Sequence, residues 1–256
     1  MPKGMQRLTC LRTLKEVVLS NGSNGNKAFT LGDLSNLSYL RGDLKIRGLG
    51  NAADVTEARN AKLLTKKGLV GLTLNFDFST RRMRDEDAIL EALQPPCNAE
   101  ACYNRQLQKL DSFASQSLQI LNMTKVKKVD FEFLGLAKEE RQTLSPSSSL
   151  PMIAFPSLKS LRFSYMKDWK HWIDCEIPST RVAQVENAIM PHLQSLELER
   201  CHRLKALPHF LLGLASLKEL NIVRCPTLSE YCRKWPNIYR IPDIRIDGVY
   251  VQRSSH

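Results

Sequence analysis

The sequence predicts an α/β solenoid, a stack of short strands forming a parallel sheet, and three observations carry that prediction. "LQSLELERC" at 193–201 and "LKELNIVRC" at 217–225 align position for position, 24 residues apart. Both hold the phrase apolar-x-x-apolar-x-apolar, whose final alternation is that of a strand with one buried face. The same phrase recurs along most of the 256 residues. One such strand cannot bury its apolar side alone, so each copy must rest on its neighbours.

The first residues carry Leu8, Leu11 and Leu14 without a clear strand, and a faint copy follows at Leu44 and Ile46. Further copies are read at Leu69, Leu72 and Leu74, at Leu118, Leu121 and Met123, and at Leu158, Leu161 and Phe163. The last are Leu193, Leu196 and Leu198, then Leu217, Leu220 and Ile222, then Ile241, Ile244 and Ile246. Counted on the second position, the spacing is irregular upstream, at 28, 49, 40 and 35 residues, and settles to 24. This is the leucine-rich-repeat pattern, L-x-x-L-x-L-x-x-N/C-x-L. It implies one horseshoe-shaped domain over 1–256, with a parallel concave β-sheet and short helices or loops on the convex side. About eight strands at ~4.8 Å spacing give a sheet near ~35 Å long.

"DVTEARNAKLLTKKG" reads as a helix with Asp54 as N-cap and Glu57 three residues on. Ala58, Ala61 and Leu64 share one side, and two lysines precede Gly68. "RDEDAILEALQPP" is a second helix, stopped by Pro95 and Pro96; its carboxylates at 85–87 sit where a helix N-terminus favours negative charge. "GSNGNK" (22–27), "SPSSSLP" (145–151) and "EIPSTRVAQVENA" (176–188) read as loops, and "CNAEACYNRQLQKLDSFASQ" as eroded repeats interrupting the sheet around 95–117. In "IRIDGVYVQ", Asp-Gly between two alternating runs predicts a tight turn that folds the last strand back, a cap over about 241–251.

Composition bounds the function. Apolar residues make up 43% and no stretch has transmembrane or signal-peptide character, which predicts a soluble intracellular protein. Seven cysteines without tight C-x-x-C pairs suit a reducing compartment, and Cys201 and Cys225 fill the Asn/Cys position of the repeat rather than a metal site. Thirty-seven Lys and Arg against 26 Asp and Glu give a net charge of +11, which favours acidic partners. The basic residues read as dispersed along the chain, so a nucleic-acid binder stands second as a function class. The five histidines form no H-E-x-x-H, and no G-x-S-x-G or Cys–His signature exists, so the chain reads as a non-enzyme without a small-molecule substrate.

Period-2 alternation also names the side chains a partner would meet. Facing outward along the concave sheet are Gly71, Thr73 and Asn75; Asn122 and Thr124; Ser160, Arg162 and Ser164. Further along come Ser195, Glu197 and Glu199; Glu219, Asn221 and Val223; Asp243, Arg245 and Asp247. In "YMKDWKHWIDC", Met166 and Trp169 continue the apolar spacing into the convex side, while Trp172 is the candidate for an exposed interface aromatic.

"LTCLRTL", "LGDLSNLSYLRGDLKIRGLGNAADVTEARNAKL", "KKGLVGLTLNFD", "ILEALQPP", "FPSLKSLRFSYMKDWKHW", "MPHLQSLELERCHRLKALP", "LKELNIVRCPTL" and "IPDIRIDGVYVQ" occur in that order. Together they resemble the repeat region of plant coiled-coil, nucleotide-binding, leucine-rich-repeat disease resistance proteins. The resemblance implies a module that recognises a pathogen effector or a guarded host protein and holds its own or a paired nucleotide-binding domain at rest. It implies a cytoplasmic location, with nuclear or membrane-peripheral pools. No G-x-x-x-x-G-K-[ST] loop is present, so ATP or ADP is expected only on the nucleotide-binding domain, and no cofactor in this chain. Residue 1 falls inside what resembles a mid-solenoid repeat, which predicts a fragment whose Leu8, Leu11, Leu14, Val17 and Val18 lack a preceding repeat. A substrate-recognition subunit of a ubiquitin ligase also uses such repeats, but no adaptor-binding helical domain is visible.

Overall fold

The computed structural model describes residues 7–19, 29–52, 54–76, 86–93, 116–129, 155, 157–173, 190–232, 235 and 238–253. Among them runs a nine-stranded sheet in the order β1 (Glu16–Val18), β2 (Arg41–Arg47), β3 (Gly68–Asn75), β4 (Ser117–Leu121), β6 (Ser160–Ser164), β8 (Ser195–Glu199), β9 (Glu219–Val223), β10 (Asp243–Ile246) and β11 (Val249–Gln252). Every pairing is parallel except β10 with β11. A second, two-stranded ladder joins β5 (Lys128–Val129) to β7 (His171–Trp172). The short helices are α1 (Val55–Asn60), α2 (Glu86–Leu93), α3 (His209–Gly213) and α4 (Pro226–Tyr231).

Register explains why these residues form these strands. Leu44, Leu72, Leu118, Leu161, Leu196, Leu220 and Ile244 lie side by side across the sheet. So do Ile46, Leu74, Ile120, Phe163, Leu198 and Ile222. All thirteen are buried, forming two apolar rows that each strand continues by a single rung. A slip of one residue would turn both rows into solvent.

Six of the strands, β2, β4, β6, β8, β9 and β10, end in the same device. The next residue is left-handed at Gly48, Asn122, Tyr165, Arg200, Arg224 and Asp247, with φ between 48° and 70°. The residue after that turns inward and is buried at Leu49, Met123, Met166, Cys201 and Cys225. Gly48 is a glycine for a local reason: a Cβ there would meet the Leu19 carbonyl oxygen at 2.5 Å.

This turn corrects the reading of one repeat. Met123 is the counterpart of Cys201 and not a strand residue, so the β4 register lies three residues upstream of the expected one. Leu118 and Ile120 point inward and Leu121 outward, half-exposed. The sheet also runs unbroken from β3 to β4, so the expected interruption is absent from the ladder itself. Residues 94–115, including Pro95 and Pro96, lie outside the described residues, as do the three expected loops at 22–27, 145–151 and 176–188.

At the first edge, β1 forms where no clear strand was expected. Val17 and Leu19 are buried and Leu11 and Leu14 pack partly on the core, leaving Leu8 and Val18 exposed. At the other edge the Asp-Gly turn behaves as predicted, with Asp247 at φ 48° and Gly248 at φ 84° reversing the chain into β11.

Between strands, two polar contacts replace expected ones. Asp54 caps α1 by accepting from the Glu57 amide at 2.8 Å, but the Glu57 carboxylate turns away to the Leu31 amide at 2.7 Å. The helix stops at Asn60, well short of the lysines before Gly68. Lys62 turns left-handed at φ 47°, and beyond it Lys66 is buried and donates from Nζ to the carbonyls of Leu34 (2.6 Å) and Leu37 (3.1 Å). Those carbonyls belong to the 3-10 turn Leu31–Asn36 and the residue after it, so the ammonium closes a helical end that has no intrahelical donor left. Burial, then the neighbouring Lys62 charge, lowers the Lys66 pKa from 10.5 to about 8.

The aromatic residues after β6 fill the interior. Phe163, Trp169 and Trp172 meet with ring centroids 4.9 to 5.3 Å apart, and Trp169 donates to the His171 carbonyl at 2.9 Å. Met166 and Trp169 are core, as expected. Trp172 is also core, 6% exposed, which overturns its reading as an interface aromatic: it lies on β7, where alternation aims it inward against Phe163.

Two outcomes follow. Trp169→Ala should lower unfolding free energy by about 3–5 kcal/mol, measured by urea denaturation, because it empties the centre of this cluster. Lys66 binds its proton less tightly in the folded chain than in the unfolded one. Stability relative to Lys66→Met should therefore rise with pH between about 8 and 10.5, and stay level below about 8, where both states hold the proton. Denaturation midpoints of the two proteins across that range check the sign.

Candidate functional site

The ladder that buries the two apolar rows must present the alternate residues on the other face. Three polar rows result. The first is Asp43, Gly71, Ser117, Ser160, Ser195, Glu219 and Asp243. The second is Lys45, Thr73, Gln119, Arg162, Glu197, Asn221 and Arg245. The third is Arg47, Asn75, Leu121, Ser164, Glu199 and Val223.

Asp247 takes the left-handed turn after β10, and of the other sixteen sequence-predicted face residues fourteen stand in these rows: Gly71, Thr73, Asn75, Ser160, Arg162, Ser164, Ser195, Glu197, Glu199, Glu219, Asn221, Val223, Asp243 and Arg245. Asn122 and Thr124 do not, because of the shifted β4 register. Asn122 occupies the left-handed turn and donates to the Asn75 side chain at 2.8 Å. Thr124 lies beyond it, its hydroxyl 3.5 Å from Glu86 Oε1. The face residues from β4 are Ser117, Gln119 and Leu121, which the phrase would have given had Met123 been matched to the cysteines.

The buried Glu86 carboxylate itself accepts from the Lys125 amide at 3.0 Å. It thus holds the turn after β4 against α2. Glu86 is also the first residue of α2, the helix N-terminus at which the sequence placed its carboxylate.

The middle of the face is organised around Arg162. Its Nη2 lies 2.7 Å from Glu199 Oε2 and its Nη1 3.6 Å from Glu197 Oε2. The Ser164 hydroxyl donates to the same Glu199 oxygen at 3.1 Å, and the Arg200 guanidinium stands 4.4 Å over the Tyr165 ring. Two covered polar atoms of the second row, Arg162 Nε and Asn221 Oδ1, have no protein partner. Not every predicted position is available to a ligand: Asn75 and Ser164 are buried between neighbouring side chains. At Gly71 the Asp43 carboxylate occupies the space a side chain would take, with Oδ1 2.4 Å from where a Cβ would lie.

The two thiols of the repeated phrase serve the turns. Cys225 Sγ accepts from the Cys201 amide at 3.3 Å and lies within 3.5 Å of the Leu198 carbonyl. The hydrogen bond to Cys225, followed by burial, pushes the Cys201 thiol well above its ordinary range, so it stays protonated. Among the described residues no three His, Cys, Asp or Glu side chains cluster as metal ligands, and no helix is long and apolar enough to cross a membrane.

The family described as R13L1/DRL21 leucine-rich repeats matches residues 31–180, which hold β2 to β7. A protein of Arabidopsis thaliana named as a disease resistance protein is 26% identical over 227 residues. That match takes in 77% of this chain and 15% of the relative, so the chain corresponds to a small part of that protein's length.

The Arg162–Glu199 contact is short but partly solvated, with side-chain exposures of 35% and 19%. A double-mutant cycle of Arg162→Ala and Glu199→Ala should give a coupling of about 0.5–1 kcal/mol by urea denaturation, shrinking in high salt.

Proposed function

The chain belongs to the R13L1/DRL21 leucine-rich-repeat family, and from that premise we propose that it is a protein-recognition module of plant defence. The observation that carries this reading is the second row of the sheet face. Arg162, Glu197 and Asn221 stand side by side on adjacent strands, held by backbone register, and two of them keep covered polar atoms without a protein partner. Such a row offers hydrogen bonds of both senses on a rigid support, the arrangement that suits a polar protein surface.

In this proposal the partner is a pathogen effector or a guarded host protein, and the chain performs no catalysis. Its second task is to hold a nucleotide-binding domain at rest, and ATP or ADP is a ligand of that domain. The setting is cytoplasmic, with nuclear or membrane-peripheral pools. The name of the Arabidopsis relative supports a defence role.

The test is proximity labelling in plant tissue, with the wild-type chain and with Asn221→Arg as baits. Asn221 is half-buried on the face, so arginine there adds bulk and charge without entering the core. A defined set of proteins should label with the wild type and fall about tenfold or more with the variant, as loss of a central contact does. A set that labels equally with both baits would remove the sheet face from the function.

A further inference from the structure

The chain's positive charge looks scattered in sequence, and the fold gathers part of it into a ladder. Aligning the repeats on their turns brings Lys127, Lys170 and Lys205 to one position, four residues past Met123, Met166 and Cys201. Backbone hydrogen bonds confirm the stacking: the Lys170 amide donates to the Lys127 carbonyl at 2.8 Å, and the Lys205 amide to the Lys170 carbonyl at 3.3 Å. All three side chains are exposed, because their predecessors Val126, Trp169 and Leu204 take the inward places. In the next repeat the position is Ser229, and the ladder stops.

The same flank carries more charge. Lys128 and His171 pair on β5 and β7, and Lys167, His202 and Arg203 are exposed on the turns just before. Among the described residues, Asp168 on these turns pairs with Arg203 at 2.9 Å, and the nearby Glu86 of α2 accepts from the Lys125 amide. Like charges directly opposite one another on a ladder repel. A fold that sets three lysines ~4.8 Å apart on adjacent rungs holds a surface whose repulsion an anionic partner relieves.

We propose that this flank is a second docking surface, separate from the sheet face, and that it takes an extended acidic peptide segment of a protein partner. The rungs span only about 10 Å, roughly three residues of extended chain at ~3.3 Å each. Alternate carboxylates of such a segment, ~6.7 Å apart, fall within reach of the flexible lysine stems. A nucleic acid would find phosphate contacts here, but among the described residues Trp169 and Trp172 are buried and give its bases no platform.

The experiment uses the full chain and fluorescence anisotropy with a labelled peptide of alternating Glu and Ser, about ten residues long. A single-stranded oligonucleotide of matched charge runs beside it. Lys127→Gln/Lys170→Gln/Lys205→Gln should weaken peptide binding on the order of tenfold at low salt, from three exposed ion pairs. Lys170→Gln alone, the middle rung, should weaken it about twofold to threefold and stands in if the triple variant unfolds. Lys15→Gln/Lys159→Gln/Lys218→Gln removes the same charge elsewhere and should leave binding within about twofold. Equal loss in both triple variants would reduce the effect to net charge and overturn the proposal. So would no binding by the wild type, or tighter binding of the oligonucleotide with a steep salt slope. Asn221→Arg should not affect the peptide, which keeps this test independent of the sheet face.

Discussion

Everything in this molecule hangs on the side-by-side contact of one inward leucine with the next. Leu72, Leu118, Leu161, Leu196 and Leu220 are each buried only because the neighbouring strand supplies the other half of the enclosure. Parallel register makes that contact repeat, and the repeat fixes all else. It sets which residues face out, where the turn falls and which side chains close the interior beneath it. The left-handed residue after six of these strands then redirects the chain, and after five of them a leucine, methionine or cysteine drops into the core. Stability is therefore distributed over rungs and not concentrated in one centre.

Much of this was legible in the sequence, and the failures have physical causes. Alternation gives β8, β9 and β10 with their outward residues because each occupies a clean 24-residue unit. It misplaces β4 because "LQILNM" offers two overlapping matches, Leu118–Ile120 and Leu121–Met123. Only knowledge that a buried methionine can replace the turn cysteine separates them. It passes over β1 because three residues pairing on one side hold too little pattern to register. Trp172 looks exposed in a run of lysines and histidines, yet a strand of two residues is enough to turn it inward. Lys66 reads as a helix-end lysine, and its burial depends on carbonyls about 30 residues away, which no local pattern contains.

The candidate site was legible to the extent that it is a property of register. Which side chains share a row follows from counting in twos; how they bond does not. The grouping of Arg162, Ser164 and Glu199 around one carboxylate oxygen depends on rotamers chosen across two strands. The lysine ladder is a different case. It is invisible along the chain because its members are 43 and 35 residues apart, and it becomes evident once the turns are superimposed. Charge in a repeat protein is better judged after folding the sequence onto its period than before.

The antiparallel β11 has a consequence for assembly. A parallel stack exposes edges that match, head to tail, so two copies could in principle continue one sheet without limit. Here one outer edge is the parallel strand β1 and the other is a strand running the opposite way. The hydrogen-bonding spacing that β1 would extend is not the one β11 offers. The hairpin thereby makes any head-to-tail continuation at that edge an antiparallel junction, unlike the parallel pairings inside the stack.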